Sequence, residues 1–231
     1  MTLVAVLAPM TTELRPVVKE LGLRRSGDDY AGRVGGADVV AALVGIGTAP
    51  AATVCERVLD EHEIGHVVVV GVAGGLAPRT ALGDLLVAAT VVDAATGAEY
   101  HPAPLGDLPA EGTLFTTDEF HTDPDFLAGL VERGIWALDM ETSGVAAVCE
   151  ARGIAWSSVR AVSDMAGDPA VGNEILGLMG PDGRPKAMAV TRYVLAKPSR
   201  ARELARLGRQ LGVATRRAAR ATARGITTLP R

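Results

Sequence analysis

His66-Val67-Val68-Val69-Val70, running into Gly71-Val72-Ala73-Gly74-Gly75, is the segment on which the fold turns. Four consecutive valines leave no polar face, so they predict a strand buried on both sides, as found in parallel or mixed sheets covered by helices. The glycines that follow predict a tight turn at its carboxyl end. Upstream, residues 2–8 form a second continuous apolar run, and Thr11 or Thr12 can cap a helix reaching Leu21. Residues 30–34 and 37–44 read as two strands around a Gly35-Gly36 turn, and Gly45-Ile46-Gly47 opens a helix over 48–61. Downstream, strands are predicted at 85–92, 113–117, 135–138 and 155–162, with helices at 124–133 and 142–152 and a Pro- and Gly-rich loop over 94–112. The alternation predicts one α/β domain, a central mixed sheet with helices on both faces in three layers.

The chain has 231 residues, 48% of them apolar and 22% charged, enough for one domain with a sizeable core. No apolar run approaches the roughly 18 residues of a membrane span, and the first residues lack a basic lead, so a cytoplasmic protein is expected. Cys55 and Cys149 lie in separate helical, Ala-rich stretches and read as small core residues. Charge divides the chain. Residues 184–231 hold thirteen Arg and Lys against one acid, +12 within a net charge of −4, so residues 1–183 carry −16. We therefore read 1–183 as the α/β domain and 184–231 as a basic helical extension packed on it. Leu204, Leu207 and Leu211 recur at helical spacing between Arg202, Arg206, Arg209 and Arg216. Such a helix can pack on its own acidic body or meet an anionic membrane surface. Nucleic acid is not an expected partner, because no aromatic residues stand between these arginines to stack on bases.

The glycines do not complete a dinucleotide fingerprint, and there is no phosphate loop, nucleophile elbow or zinc helix. No metal or organic cofactor is expected. His62, His66, His101 and His121 are scattered and read as surface or structural residues. In open α/β sheets, ligands bind beyond the carboxyl ends of the strands. Those ends carry residues 10–13, 71–75, 139–141 and 163–164.

Four segments at those ends carry a resemblance: Ala8-Pro9-Met10-Thr11-Thr12-Glu13, Gly71-Val72-Ala73-Gly74-Gly75-Leu76, Leu138-Asp139-Met140-Glu141-Thr142 and Val159-Arg160-Ala161-Val162-Ser163-Asp164. Their order and spacing resemble the nucleoside phosphorylase/nucleosidase superfamily, most of all its methylthioadenosine/S-adenosylhomocysteine nucleosidase branch. The resemblance covers residues 2 to about 168. It implies cleavage of a purine N-glycosidic bond through an oxocarbenium-like sugar, which requires protonation of the base, stabilisation of the cationic ribose and delivery of a nucleophile.

By that resemblance Asp164 is the general acid toward purine N7, a role that needs a proton affinity raised by a partly dry pocket. Read alone, it is also a fitting helix cap. Glu141, as a carboxylate, would accept hydrogen bonds from the ribose hydroxyls, with Met140 packing on the sugar; a glutamate favoured by a helix dipole is the plainer reading. Glu13 would orient and deprotonate the attacking water, with Arg160 as its charge partner. Phe120 would stack on the purine or serve as core. Gly74 and Gly75 would let the backbone approach the nucleoside, beside Val72 and Ser163. The ligand implied is a small-molecule purine nucleoside, and the family implies a homo-oligomer.

Phosphorylases of this superfamily hold phosphate with arginines near the first loop and a serine in the glycine segment. Here the first loop has Glu13 and no arginine before Arg15, and Val72 replaces the hydroxyl. A carboxylate at the nucleophile position repels phosphate, so hydrolysis is expected, with phosphorolysis as the alternative. The segment between Val92 and Thr113 is shorter than in the branch, and the tail beyond Asp168 is longer, with Gly180-Pro181-Asp182-Gly183-Arg184-Pro185 before basic helices. A longer tail of this kind is similar to hopanoid-associated nucleosidases acting on lipid-linked adenosyl groups, which gives the membrane reading a purpose.

Overall fold

The computed structural model describes residues 3–168, 177–178, 180, 186–197 and 200–230. The expected boundary at 183/184, and most of the 180–185 segment, lie outside the described residues. In chain order the elements are β1 (Leu3–Ala8), α1 (Thr11–Glu20), β2 (Arg24–Ser26), β3 (Asp29–Val34), β4 (Ala37–Leu43), α2 (Thr48–Glu61), β5 (Ile64–Gly75) and β6 (Leu85–Val87). There follow β7 (Thr90–Asp93), β8 (Glu99–Tyr100), β9 (Thr113–Thr116), α3 (Pro124–Glu132), β10 (Ile135–Asp139), α4 (Thr142–Ala151), β11 (Ala155–Met165), α5 (Ala187–Ala196) and α6 (Arg200–Thr227).

The strands form one mixed sheet. Its path runs β2-β3-β4-β1-β5-β10-β9-β7-β8, with β11 paired to β5 and β6. The valines of β5 lie between two parallel neighbours, Val68 opposite Val6 of β1 and Ser157 of β11. Val67, Val68, Val69 and Val70 are buried, at a typical gain of about 1.5–3 kcal/mol for each such side chain. Here the expected glycine turn is corrected: β5 continues straight through residues 71–75, pairing with β11 and then antiparallel with β10 at Gly74–Leu138 and Gly75–Ala137. None of these three glycines has a positive φ. Gly71 and Gly75 are small rather than bent: side chains of the site cross the backbone at Gly71, and neighbours in the sheet crowd Gly75.

Two of three hydrophobic clusters lie on opposite faces of the sheet. On one, Ala51, Cys55 and Val58 of α2 meet Val145, Ala146 and Cys149 of α4. The two cysteines, read as remote core residues, are free and stand with their sulfurs 3.9 Å apart. On the other face, Leu14 and Val17 of α1 pack with Ala214, Ala218, Ala219 and Ile226 of α6. Small residues let this long helix approach β11 and β5 closely. Among its arginines, Arg206 pairs with Asp168 at 3.0 Å, Arg220 with Glu20 at 3.9 Å and Arg224 with Asp107 at 2.6 Å, while Arg217 donates to the Gly83 carbonyl. No described helix is long and apolar enough to cross a membrane.

Smaller departures have local causes. The strand expected at 85–92 divides into β6, which joins β11, and β7, which joins β9, so the chain changes neighbours at Ala88-Ala89. The 94–112 segment includes β8. The polar strand β2 was not anticipated, since Arg24-Arg25-Ser26 is exposed throughout and carries no apolar alternation. Helix α1 is capped by Met10, not by Thr11 or Thr12: the Glu13 carboxylate reaches back to the Met10 amide at 3.0 Å.

Candidate active site

The carboxyl ends of β1, β5, β10 and β11 converge on a cavity of about 530 Å³. Its polar floor includes Glu13, Asp139, Glu141 and Asp164, and no lysine or arginine occurs among the described residues lining it.

Glu13 is held by two backbone amides, Met10 to Oε2 at 3.0 Å and Val72 to Oε1 at 2.8 Å. Its side chain is buried. Desolvation pushes its pKa up to about 7, against the pull of nearby Arg160 and the two amides. Glu141 closes the carboxyl end of β10 and caps α4; its Oε1 accepts from the Gly47 amide at 3.3 Å and its Oε2 lies 3.3 Å from Arg160 Nη2. Burial also pushes Glu141 up, with Asp139 and Glu13 adding to the rise.

Arg160 requires one correction. Expected to touch substrate, it is instead fully buried beneath the cavity and donates to Asp139, Glu141 and Thr142, while its charge acts on nearby Glu13 as expected. A guanidinium with no exposed surface stays charged only among acceptors that replace its water. Asp139 anchors it, accepting also from Thr116 Oγ1 at 2.6 Å and from the Thr142 amide at 3.0 Å. Asp139 was not singled out from the sequence. Its place just before a helix was the available signal.

Asp164 stands at the end of β11, with the Ser163 hydroxyl donating to Oδ1 and Oδ2 lying over Gly74. Burial raises its pKa, the Ser163 hydrogen bond lowers it, and the charge of Asp168 raises it further. Gly74, Val72, Ser163, Met140 and Phe120 all face the cavity. Gly75 does not: a Cβ there would sit 2.6 Å from Thr80 Oγ1 and 2.7 Å from Val162 Cγ1, so close packing inside the sheet explains it. His121, read as a surface or structural residue, lines the cavity, stacked on Phe126 and 3.0 Å from Thr117 Oγ1. His66 is structural, buried against Ser157 with its pKa lowered by burial to about 4.

Two features escaped sequence reasoning. Leu204, Leu207 and Leu211 of α6 form a wall of the cavity; their spacing was legible but not what they face. Gly71 was quoted without a role. A Cβ on it would lie 2.4 Å from Arg160 Nη1 and 2.5 Å from Glu13 Oε1, both fixed by hydrogen bonds. Gly71→Ala should therefore cost about 1–3 kcal/mol by overpacking and reduce any activity that depends on Glu13. Gly129→Ala in α3, where the added methyl meets nothing within 4 Å, should be neutral or mildly stabilising. Urea unfolding of the pair checks this, and equal midpoints would refute the close-approach account.

A three-layer α/β sandwich with its ligand cavity floored by carboxylates defines the class, and a family model agrees with it. The phosphorylase superfamily matches over residues 3–132 and 105–195, and the chain belongs to that superfamily. Among curated relatives it is similar to the 5′-methylthioadenosine/S-adenosylhomocysteine nucleosidase of a Marinomonas species, 29% identical over 171 residues, 61% of this chain and 74% of the relative. The Anoxybacillus flavithermus enzyme of the same name is also 29% identical, over 60% of this chain and 72% of its own length. Its fold is similar to that of the Neisseria meningitidis nucleosidase solved with methylthio-immucillin-A, at TM-score 0.73, 18% identity and coverage of 99% and 100%. It is also similar to that of Helicobacter pylori futalosine hydrolase, at TM-score 0.71, 17% identity and 97% coverage of each chain.

Proposed function

We propose that the protein is a purine nucleosidase that hydrolyses the N-glycosidic bond of a 5′-modified adenosine-type nucleoside. The observation that carries this reading is the floor of the cavity: three carboxyl groups of raised proton affinity, from the first turn of α1, the start of α4 and the end of β11, with no described cation lining the space between them. Asp164 gives its proton to N7 as the bond from C1′ to N9 breaks, so the base leaves neutral. Glu141, as a carboxylate, balances the positive charge that grows on the sugar and accepts from the ribose hydroxyls. Glu13 takes a proton from water as the oxygen bonds to C1′. The products are the free purine and a sugar with a free anomeric hydroxyl, and both enzymic protons re-equilibrate with solvent. Phe120 and Met140 flank the base and sugar.

The name shared by the curated relatives, 5′-methylthioadenosine/S-adenosylhomocysteine nucleosidase, supports an adenosine-type nucleoside with a 5′ substituent. Phosphorolysis is the weaker reading because Arg15 opens onto a separate depression with Arg24 and Arg25, away from the cavity, and Arg160 is occupied by its acids. The pairing of Arg206, Arg217, Arg220 and Arg224 with their own body favours a docked helix over membrane attachment and a lipid-linked substrate. The reading includes a cytoplasmic location and a homo-oligomer.

Glu13→Gln tests the base. Hydrolysis should fall by about 10²–10⁴-fold, the usual contribution of a positioned base. In the parent protein kcat/KM should decline on the acid side below about pH 7, where Glu13 becomes protonated, approaching tenfold per pH unit. A limb near pH 4.5, or full hydrolysis by the Gln variant, would remove Glu13 from the mechanism.

A further inference from the structure

The proposed chemistry leaves one charged pair beside the cavity without a role. After Asp164 the chain makes a tight turn in which the Asp168 amide donates to the Met165 carbonyl at 3.0 Å and the Ala166 amide to the Gly75 carbonyl at 2.9 Å. That turn carries the Asp168 carboxylate back toward Asp164. Arg206 of α6 meets it there, Nη2 to Oδ2 at 3.0 Å, and places Nη1 3.4 Å from Gln210 Oε1. Its helical neighbours Leu204, Leu207 and Gly208 line the cavity. One ion pair therefore joins the cavity wall to the turn that follows the acid.

Among the described residues, few buried side chains hold this span of α6. Its described buried residues begin at Ala214, a full two turns after Arg206. Gly208 and Gly212 each weaken a helix by about 1 kcal/mol relative to Ala. Neither is demanded by space: a Cβ on Gly208 meets nothing within 4 Å, and one on Gly212 meets only the end of the Arg216 side chain at 3.4 Å.

We propose that Asp168 and Arg206 are positioning residues for Asp164: their ion pair ties the cavity-facing turn of α6 to the turn after the general acid, and their opposite charges act with opposite sign on the Asp164 proton. The inference rests on Asp164 being the acid. Among the described residues, the other charged or titratable groups facing that cavity are Glu13 on α1, Asp139 and Glu141 at the end of β10, and Glu119 and His121 on the segment before α3; β5 presents glycine and small apolar residues. None of these acids is within the turn itself, and Asp168 is not part of the cavity floor, so its removal changes the field at Asp164 without dismantling that floor.

The pH dependence of kcat/KM for adenine release from methylthioadenosine separates this role from a merely structural one. Asp168→Asn and Arg206→Gln break the same contact, so both should raise KM by a similar factor. The limb set by the Asp164 proton should move in opposite directions: down by about half a pH unit in Asp168→Asn and up by a similar amount in Arg206→Gln, as expected for partly solvated charges. Arg206→Lys, which keeps the charge, should keep the limb in place. If a variant is folded but turns over too slowly, the pH dependence of adenine binding by calorimetry reads the same proton. Displacement of both limbs in one direction, or of neither, overturns the proposal. Loss of the proposed function itself looks different, as an Asp164→Asn protein that still releases adenine.

Discussion

Asp164→Asn should lose purine release by about 10²–10⁴-fold while unfolding no earlier than the parent. The amide preserves the shape of the group and can still accept from the Ser163 hydroxyl, but it has no proton to transfer. The stability half of the prediction follows from the sign of the shift. Burial raises the folded pKa of Asp164 above its ordinary value of 3.8. The stabilisation belonging to its protonated form is therefore complete below 3.8 and lost as pH rises through the folded value. Asn carries no such charge, so its relative stability improves toward alkaline pH. Turnover and thermal unfolding measured across pH check both halves. A variant that keeps turnover ends the general-acid assignment, and one that loses both turnover and fold shows Asp164 to be structural.

Arg160→Met should damage the fold itself. The methionine fills much of the space but leaves Asp139, which accepted the guanidinium, and Glu141 without their buried cation. Breaking a buried pair from one side costs about 3–5 kcal/mol. Without Arg160 the pull that lowers Glu13 and Glu141 disappears, so both rise further above the ordinary 4.5. The folded variant then binds more protons than its unfolded chain between 4.5 and those raised values, and its stability falls as pH increases through that window. The deficit against the parent should be larger at pH 8 than at pH 5.5 in urea titrations. A deficit independent of pH would mean that Arg160 acts by packing and not by charge.

These two residues illustrate what could be read in advance. Asp164 was legible because an acid after a long apolar strand sits where ligands bind in α/β sheets. The burial that gives it a raised pKa was not, since that comes from chain far away in sequence. Arg160 sits in a strand of apolar and small residues, and its sequence neighbours give no hint that three acids or acceptors from β10 and α4 surround it. The valines of β5 fixed the sheet; its glycines misled, because glycine marks both turns and crowded straight backbone. Gly71 belongs to the second kind, with Arg160 and Glu13 crossing where a methyl would stand. The leucines of α6 gave the helix and its apolar stripe, but periodicity states only that a stripe is covered. Its C-terminal half covers the sheet, and its earlier turns face the cavity.

The central claim is that water, not phosphate, receives the sugar, and product chromatography tests it most directly. Methylthioadenosine incubated with the protein in phosphate-free buffer should yield adenine and a free reducing sugar, at a rate that added phosphate leaves unchanged. Adenine released only when phosphate is present, together with a sugar 1-phosphate, would contradict the account.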